Sequence, residues 1–413
     1  MIRKRICVLW ALLLSININF LVAQDTICFD LPNQYGFENI AADSIGNARN
    51  LSILFNKLYL NNKNPFHQIQ ILQIGDSHMQ ADYISHTIRT ELQKVFGNAG
   101  RGLITPLKVA KTNEPFNYKT GSSSLWVNQK CISKKGELPI GIGGICIKSI
   151  DSNAFLYLKT FDTPGMDYSF EKLRLFNYVD SNSFHLKIED TLTKFTHLIK
   201  QKPFENNSLI NLPSKTSQLT LTALKSDSTQ SHITLFGFSL EKTQPGILYH
   251  SVGINGAKYT DYLRSKLFIK QTSLLKPELI ILNLGTNEAF QKSFDTSKFY
   301  LTIDSLVREL SIQNPLTPIL LTTPANSFYF KQKSKTMPLV ATTIIKYAKE
   351  HNLAYWDLFE IGGGENSAIS WKKNLLLGHD GVHYTKEGYI HQGNLFVKGF
   401  FNAYNQYVRH RFN

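Results

Sequence analysis

The chain reads as an α/β protein: a five-stranded parallel sheet with helices on both faces, interrupted after its first strand-helix unit by an all-β insertion. Three observations predict this. An apolar strand at residues 69–74 runs directly into a helical pattern at 79–96. From about residue 138 to 240 the alternation gives way to short β-rich runs separated by turn residues. From Ile247 strand and helix alternate again to the last helix of the chain.

In the first unit, Ile84, Ile88 and Leu92 hold one helix face and Gly97-Asn98 stops the helix. The runs 154–161, 172–179, 184–188, 219–224 and 233–240 follow one another with no helix between them, which points to a β-sandwich or jelly roll. The second part supplies a strand ending at Val252, a helix over 259–275, a strand over 279–284 and a helix over 298–312. A strand over 319–323, a helix over 339–351 and a strand over 354–358 come next. The last helix follows Tyr384 and carries Tyr389, Leu395, Phe396 and Phe400. With 413 residues the chain exceeds what one core usually organises, and the expected division is 1–24 leader, 25–137 first part of the core, 138–244 insertion and 245–413 second part.

Residues 1–24 have the form of a secretory signal: Arg3, Lys4 and Arg5, an apolar core over 8–14, then Phe20-Leu21-Val22-Ala23 before Gln24. Ser15, Asn17 and Asn19 interrupt the apolar stretch and argue against an uncleaved anchor helix. No cysteine stands at the cleavage site for lipid attachment, and no later segment has the length and apolarity to span a membrane. The expectation is a secreted or periplasmic protein. Loss of Arg3, Lys4 and Arg5 lowers the formal charge from +14 to +11, so the mature chain stays basic. A basic exported chain with no dense Lys/Arg cluster and no nucleic-acid motif suits an anionic polymer better than nucleic acid. Cys131 and Cys146 are a candidate disulfide pair, with three unpaired thiols (Cys28, Cys131 and Cys146) as the alternative. The histidines show no zinc spacing, and no Gly-Lys-Ser or Gly-Lys-Thr follows the glycine-rich segment 97–102, so no metal or cofactor is expected. That segment reads as a connector. Phe116, Tyr118 and Trp126 read either as packing residues or as sugar-stacking ones.

Four stations carry the chemistry. Gly75-Asp76-Ser77-His78 places a serine on a strand-to-helix turn, and Ile254-Asn255-Gly256-Ala257 follows the next core strand. Gly285-Thr286-Asn287-Glu288 follows an apolar strand, and Asp380-Gly381-Val382-His383 precedes the last helix. A serine hydroxyl needs a base within hydrogen-bond reach, and the base needs a partner that fixes its tautomer. His383 and Asp380 supply both. The oxyanion formed on acyl attack needs preorganised donors, for which the Ser77 and Gly256 amides and the Asn287 side chain stand in place. Taken singly, Asp76-Ser77 is also an ordinary N-cap, Gly285-Thr286-Asn287 an ordinary turn and Asp380-Gly381 a turn beside a surface histidine. Their order, and their positions at C-terminal strand ends where open α/β sheets bind ligands, favour catalysis.

In motif order and context these stations resemble the SGNH family of serine hydrolases, also called GDSL-like. His78 departs from the family's namesake motif, which has leucine after the serine. The resemblance implies a flavodoxin-like three-layer α/β/α core, Ser77 as nucleophile, Asp380 and His383 as the other triad members, and Ser77, Gly256 and Asn287 as the oxyanion hole. With the β-insertion on an exported basic chain, the whole is similar to peptidoglycan O-acetylesterases that carry an inserted carbohydrate-binding-like module. The implied substrate is an acetylated polysaccharide, cell-wall glycan first and plant or host glycans next. Rival readings are a polysaccharide O-acetyltransferase running the same acyl-enzyme and a non-catalytic glycan-binding protein. A lipase fits less well, because no lid-like amphipathic segment stands beside the triad.

Overall fold

In the strand Gln68–Gly75, Ile69 and Ile71 face one hydrophobic cluster while Leu72 and Ile74 face another, as a strand buried on both faces must. The computed structural model describes residues 26–123, 125–203, 207–330 and 332–411. The leader expected at 1–24 lies outside the described residues. Gln68–Gly75 pairs in parallel with Gly246–Gly253 on one side and Leu279–Asn283 on the other; Ile319–Thr322 and Ala354–Trp356 complete the parallel set. Numbered along the chain, the five parallel strands lie in the order 2-1-3-4-5, a doubly wound α/β arrangement. One face is covered by the helices Ser52–Lys63, Tyr83–Phe96 and Lys386–Arg411, the other by Lys266–Thr272, Thr296–Gln313 and Met337–Glu350.

Local differences from the sequence reading have physical causes. The first helix divides into Ser77–Gln80 and Tyr83–Phe96 because Asp82 takes a left-handed backbone (φ 61°) between them. The expected helix over 259–275 divides into Tyr259–Arg264, Lys266–Thr272 and a 3-10 turn at Ser273–Leu275. A short antiparallel strand, Ile45–Gly46, covers the edge at Ala354–Trp356. It has no clear sequence signal; the helix Ser52–Lys63 was missed although Leu51, Leu54, Phe55 and Leu58 recur at helical spacing and are buried.

The insertion forms two antiparallel sheets whose inner faces share a hydrophobic cluster, including Leu156, Leu158, Leu173, Leu175, Leu221 and Leu235. The sheets begin before the boundary expected at 138. Tyr118–Ser122 pairs with Phe155–Thr160, Val127–Lys130 with Ile145–Ser149, and Gly102–Ile104 with Ile233–Glu241. The first two early strands read Tyr-Lys-Thr-Gly-Ser and Val-Asn-Gln-Lys. They lack an apolar alternation and become strands because a partner strand offers them a ladder. Tyr118 and Trp126 are buried, whereas Phe116 is part-exposed and stacks on Tyr83 with centroids 4.9 Å apart. Cys28, Cys131 and Cys146 all carry free thiols, so the candidate pair is not formed. Cys146 lies across the ladder from Gln129, two residues before Cys131. Burial pushes the Cys146 thiol up to about 12 and the Cys131 thiol higher still.

Asp82 joins insertion to core. Its carboxylate accepts from Arg89 at 3.0 Å, Arg101 at 2.8 Å and the Asn117 amide at 2.6 Å, with both arginines buried. Arg101 also lies over the rings of Tyr118 and Tyr168, both from the insertion. Burial alone would raise the Asp82 carboxyl, but Arg101 and Arg89 outweigh it and hold the group well below the usual carboxylate range.

Candidate active site

The Ser77 turn is built by close backbone approach. A Cβ on Gly75 would fall 2.2 Å from Met79 Cγ, and one on Gly253 would fall 2.2 Å from the Gln80 amide, so both glycines let the Ser77–Gln80 helix sit down on the strand ends. Asp76 caps that helix, its Oδ1 accepting from the His78 amide at 3.0 Å. The ordinary N-cap role is therefore real and belongs to Asp76, which leaves the Ser77 hydroxyl free to face the cleft.

Ser77 Oγ is 2.9 Å from His383 Nε2, and His383 Nδ1 is 2.6 Å from Asp380 Oδ2. The other Asp380 oxygen accepts from the Val382 and His383 amides at 2.9 Å each. Burial pushes the Asp380 carboxyl up, but the His383 hydrogen bond and the two amides more than offset this and hold it below its ordinary value. The loop is closed by Gly378 N–H donating to the His383 carbonyl at 2.7 Å and Phe328 N–H donating to the Gly381 carbonyl at 2.8 Å. Three side chains separated by some 300 residues thus form one hydrogen-bonded line.

The three expected oxyanion donors surround the same cleft, a cavity of about 620 Å³ within the usual range for ligand sites. Among the described residues no acceptor is paired with the Ser77 or Gly256 amide. Gly256 has φ 80°, and a Cβ there would meet nothing within 4 Å, so glycine is required by conformation and not by room. Asn287 Nδ2 donates to the Ala257 carbonyl at 3.0 Å and more distantly to Asp76 Oδ2 at 3.3 Å, bridging the Gly256 and Ser77 turns.

Sequence reasoning missed several residues of this site. His78, buried beside His383 with ring centroids 5.4 Å apart, is paired through Nδ1 with the Tyr389 hydroxyl at 3.0 Å. Burial lowers its basicity, which keeps a second positive charge from the neighbourhood of His383. Asn113, Asn255, Phe290 and Tyr389 line the cleft. His78 and Asn255 lay within motifs singled out from the sequence but were given no role there; Asn113, Phe290 and Tyr389 lay outside them.

Glu288 lies behind Asn287, accepting from the Tyr259 amide at 2.7 Å through one oxygen while the other has no partner among the described residues. Burial pushes its carboxyl up to about 8 from 4.5. Between these values the unfolded chain binds fewer protons at this position than the folded one, so stability falls as pH rises from 4.5 to 8, at up to about 1.4 kcal/mol per pH unit. Glu288→Gln removes this titration. Its melting temperature relative to the unmodified protein is expected to climb across that window and level off above it. A difference independent of pH would show that Glu288 is ionised in the fold.

Residues 220–396 match the family model described as GDSL-like Lipase/Acylhydrolase, a span that includes Gly256, Asn287, Asp380 and His383. Over this span, less than half of the chain, the protein is similar to the GDSL-like, or SGNH, hydrolases. The family match begins beyond Ser77, which the insertion separates in sequence from the rest of the core. Among solved structures, a peptidoglycan O-acetylesterase superposes with a TM-score of 0.71 at 20% identity, covering 91% of this chain and 98% of that one. The likeness therefore extends over the inserted sheets as well as the SGNH core. A family two carbohydrate esterase from Cellvibrio japonicus matches with a TM-score of 0.29 at 11% identity, over 71% of this chain and 99% of that one. An acetylxylan esterase from Geobacillus stearothermophilus matches at 0.30 and 20%, over 38% and 73%. No curated protein matches the sequence. The family match supports an enzyme that acts on ester bonds. Among the described residues no helix is long and apolar enough to cross a membrane, and no group of three or more His, Cys, Asp or Glu could hold a metal ion.

Proposed function

We propose that the protein is an exported serine esterase that removes O-acetyl groups from a polysaccharide, with peptidoglycan as the leading substrate. The observation that carries this reading is the continuous hydrogen-bonded line Ser77–His383–Asp380 opening into a cleft that also holds the unpaired Ser77 and Gly256 amides. Ser77 Oγ adds to the acetyl carbonyl carbon while His383 Nε2 takes its proton, and Asp380 holds the imidazole tautomer and stabilises the imidazolium. The carbonyl oxygen, now negative, is met by the Ser77 and Gly256 amides and by the Asn287 Nδ2 hydrogen that gives up its longer bond to Asp76 Oδ2. Collapse expels the sugar oxygen, which leaves as a hydroxyl carrying the proton from His383, and acetyl-Ser77 remains. Water then adds to that ester with His383 again as base, and acetate leaves as Ser77 regains its proton.

The glycan assignment draws on the fold shared with a peptidoglycan O-acetylesterase across the inserted sheets. Export rests on the form of residues 1–24, and a net basic chain suits an anionic wall polymer. The test is acetate release from O-acetylated peptidoglycan compared with acetylated xylan. Faster release from peptidoglycan is expected. Faster release from xylan would move the substrate to plant glycans, and no acetate from either would overturn the reading.

Asn287→Ala is expected to lower kcat about a hundredfold with little change in KM, as for a donor used mainly in the transition state. Because Asn287 also bridges the Ser77 and Gly256 turns, its melting temperature should fall modestly. A raised KM at unchanged kcat would show that it holds only the ground state.

A further inference from the structure

Gln80, at the end of the nucleophile helix, is buried and hydrogen-bonded at both ends of its amide. Its Oε1 accepts from the Asn255 backbone N–H at 2.7 Å. Its Nε2, which carries two hydrogens, shares them among three acceptors in range: the Asn113 carbonyl at 2.8 Å, Asn113 Oδ1 at 2.9 Å and Thr112 Oγ1 at 2.9 Å. A backbone N–H can only donate and a backbone carbonyl can only accept, so the orientation of the Gln80 amide is fixed. That in turn fixes its neighbours. Asn113 Oδ1 is the acceptor for Gln80 and also for Asn255 Nδ2, at 2.8 Å. What remains is the Asn113 Nδ2 donor and the Asn255 Oδ1 acceptor, for which no partner is found among the described residues. Both side chains line the cleft beside Gly256 and Asn287.

We infer that Asn113 and Asn255, held in register by Gln80, form a subsite for a hydroxyl group of the sugar that bears the acetyl ester. A hydroxyl both accepts and donates, and this pair offers one donor and one acceptor side by side. An alkyl or aryl acetate has no such group and leaves both asparagines unmatched, whereas a hydroxyl next to the ester satisfies them. Discrimination of this kind follows from polar groups built to meet a substrate hydroxyl. The inference rests on the esterase reading and adds the chemistry that selects the substrate. It also gives a reason for the location of Asn113, on the segment between the strands Gly102–Ile104 and Tyr118–Ser122 that leads into the five-stranded inserted sheet. Gln80 is a positioning residue here, acting through Asn255 and Asn113.

The test compares hydrolysis of an O-acetylated methyl glycoside having a free hydroxyl next to the ester with that of 4-nitrophenyl acetate, using the purified protein and the variants Asn113→Ala, Asn255→Ala and Gln80→Leu. For the two asparagine variants the ratio of kcat/KM for glycoside over aryl ester is expected to fall about tenfold, mainly through KM. Gln80→Leu should lose kcat on both substrates as well, because the turn carrying the Gly256 amide is freed. Asn113 is exposed and its replacement should leave the melting temperature nearly unchanged, so its result stands even if Gln80→Leu folds poorly. An unchanged ratio in both asparagine variants, or equal losses on the two esters, would overturn the subsite. Failure of the unmodified protein to hydrolyse either ester would instead remove the esterase reading, and the subsite with it.

Discussion

Ser77→Ala is expected to reduce turnover of a small acetyl ester by about four to six orders of magnitude while leaving the fold intact. Among the described residues the Ser77 hydroxyl has one hydrogen-bond partner, His383 Nε2 at 2.9 Å, so its removal creates no cavity of consequence and leaves the histidine held by Asp380. Melting temperature should therefore barely move. His383→Ala should cost about as much, and the double variant little more than either alone, because nucleophile and base work as one unit and the residual rate comes from binding and the oxyanion donors. Retention of most turnover by Ser77→Ala would remove the triad assignment.

The largest effect on stability is expected at Asp82. Asp82→Ala leaves the buried guanidinium groups of Arg89 and Arg101 without their shared carboxylate and should destabilise the protein by about 3–5 kcal/mol. Alanine at a left-handed backbone adds roughly 1 kcal/mol of strain. Asp82→Asn keeps a residue that tolerates this conformation and removes only the charge, so it should fall between the two. Chemical denaturation checks both, and an Asp82→Ala protein within about 1 kcal/mol of the parent would mean that the arginines find other partners. Since Arg101, Asn117 and Tyr168 connect this carboxylate to the insertion, the inserted sheets are a docked part of the molecule. Excision between residues 138 and 244 would leave the strands Gly102–Ile104, Tyr118–Ser122 and Val127–Lys130 without partners.

The legible parts of the fold are those where burial writes itself into local composition. The five parallel core strands are largely buried and appear as apolar runs, and the first three lead into glycine-containing turns, as at Gln68–Gly75. The inserted strands Phe155–Thr160 and Gln218–Leu224 bury alternate residues and were legible for the same reason. Asn207–Thr216, with few buried positions, and the polar Val127–Lys130 were not, since their pairing depends on a neighbouring strand.

The candidate site divides similarly. Ser77, Gly256, Asn287, Asp380 and His383 can be named from sequence because each sits on a strand-end turn or final loop whose residue types the chemistry of acyl transfer demands, and each motif is contiguous. The sequence by itself determined the layered core, its interruption and those five candidates, because short-range periodicity and turn chemistry encode them. Only the tertiary structure decided that Asp380, His383 and Ser77 form one hydrogen-bonded line, that Cys131 and Cys146 stay unbonded, and that Gln80 joins Asn113 to Asn255. Those are distances between residues far apart in the chain, set by how strands stack and loops close, and no local pattern of amino acids carries them.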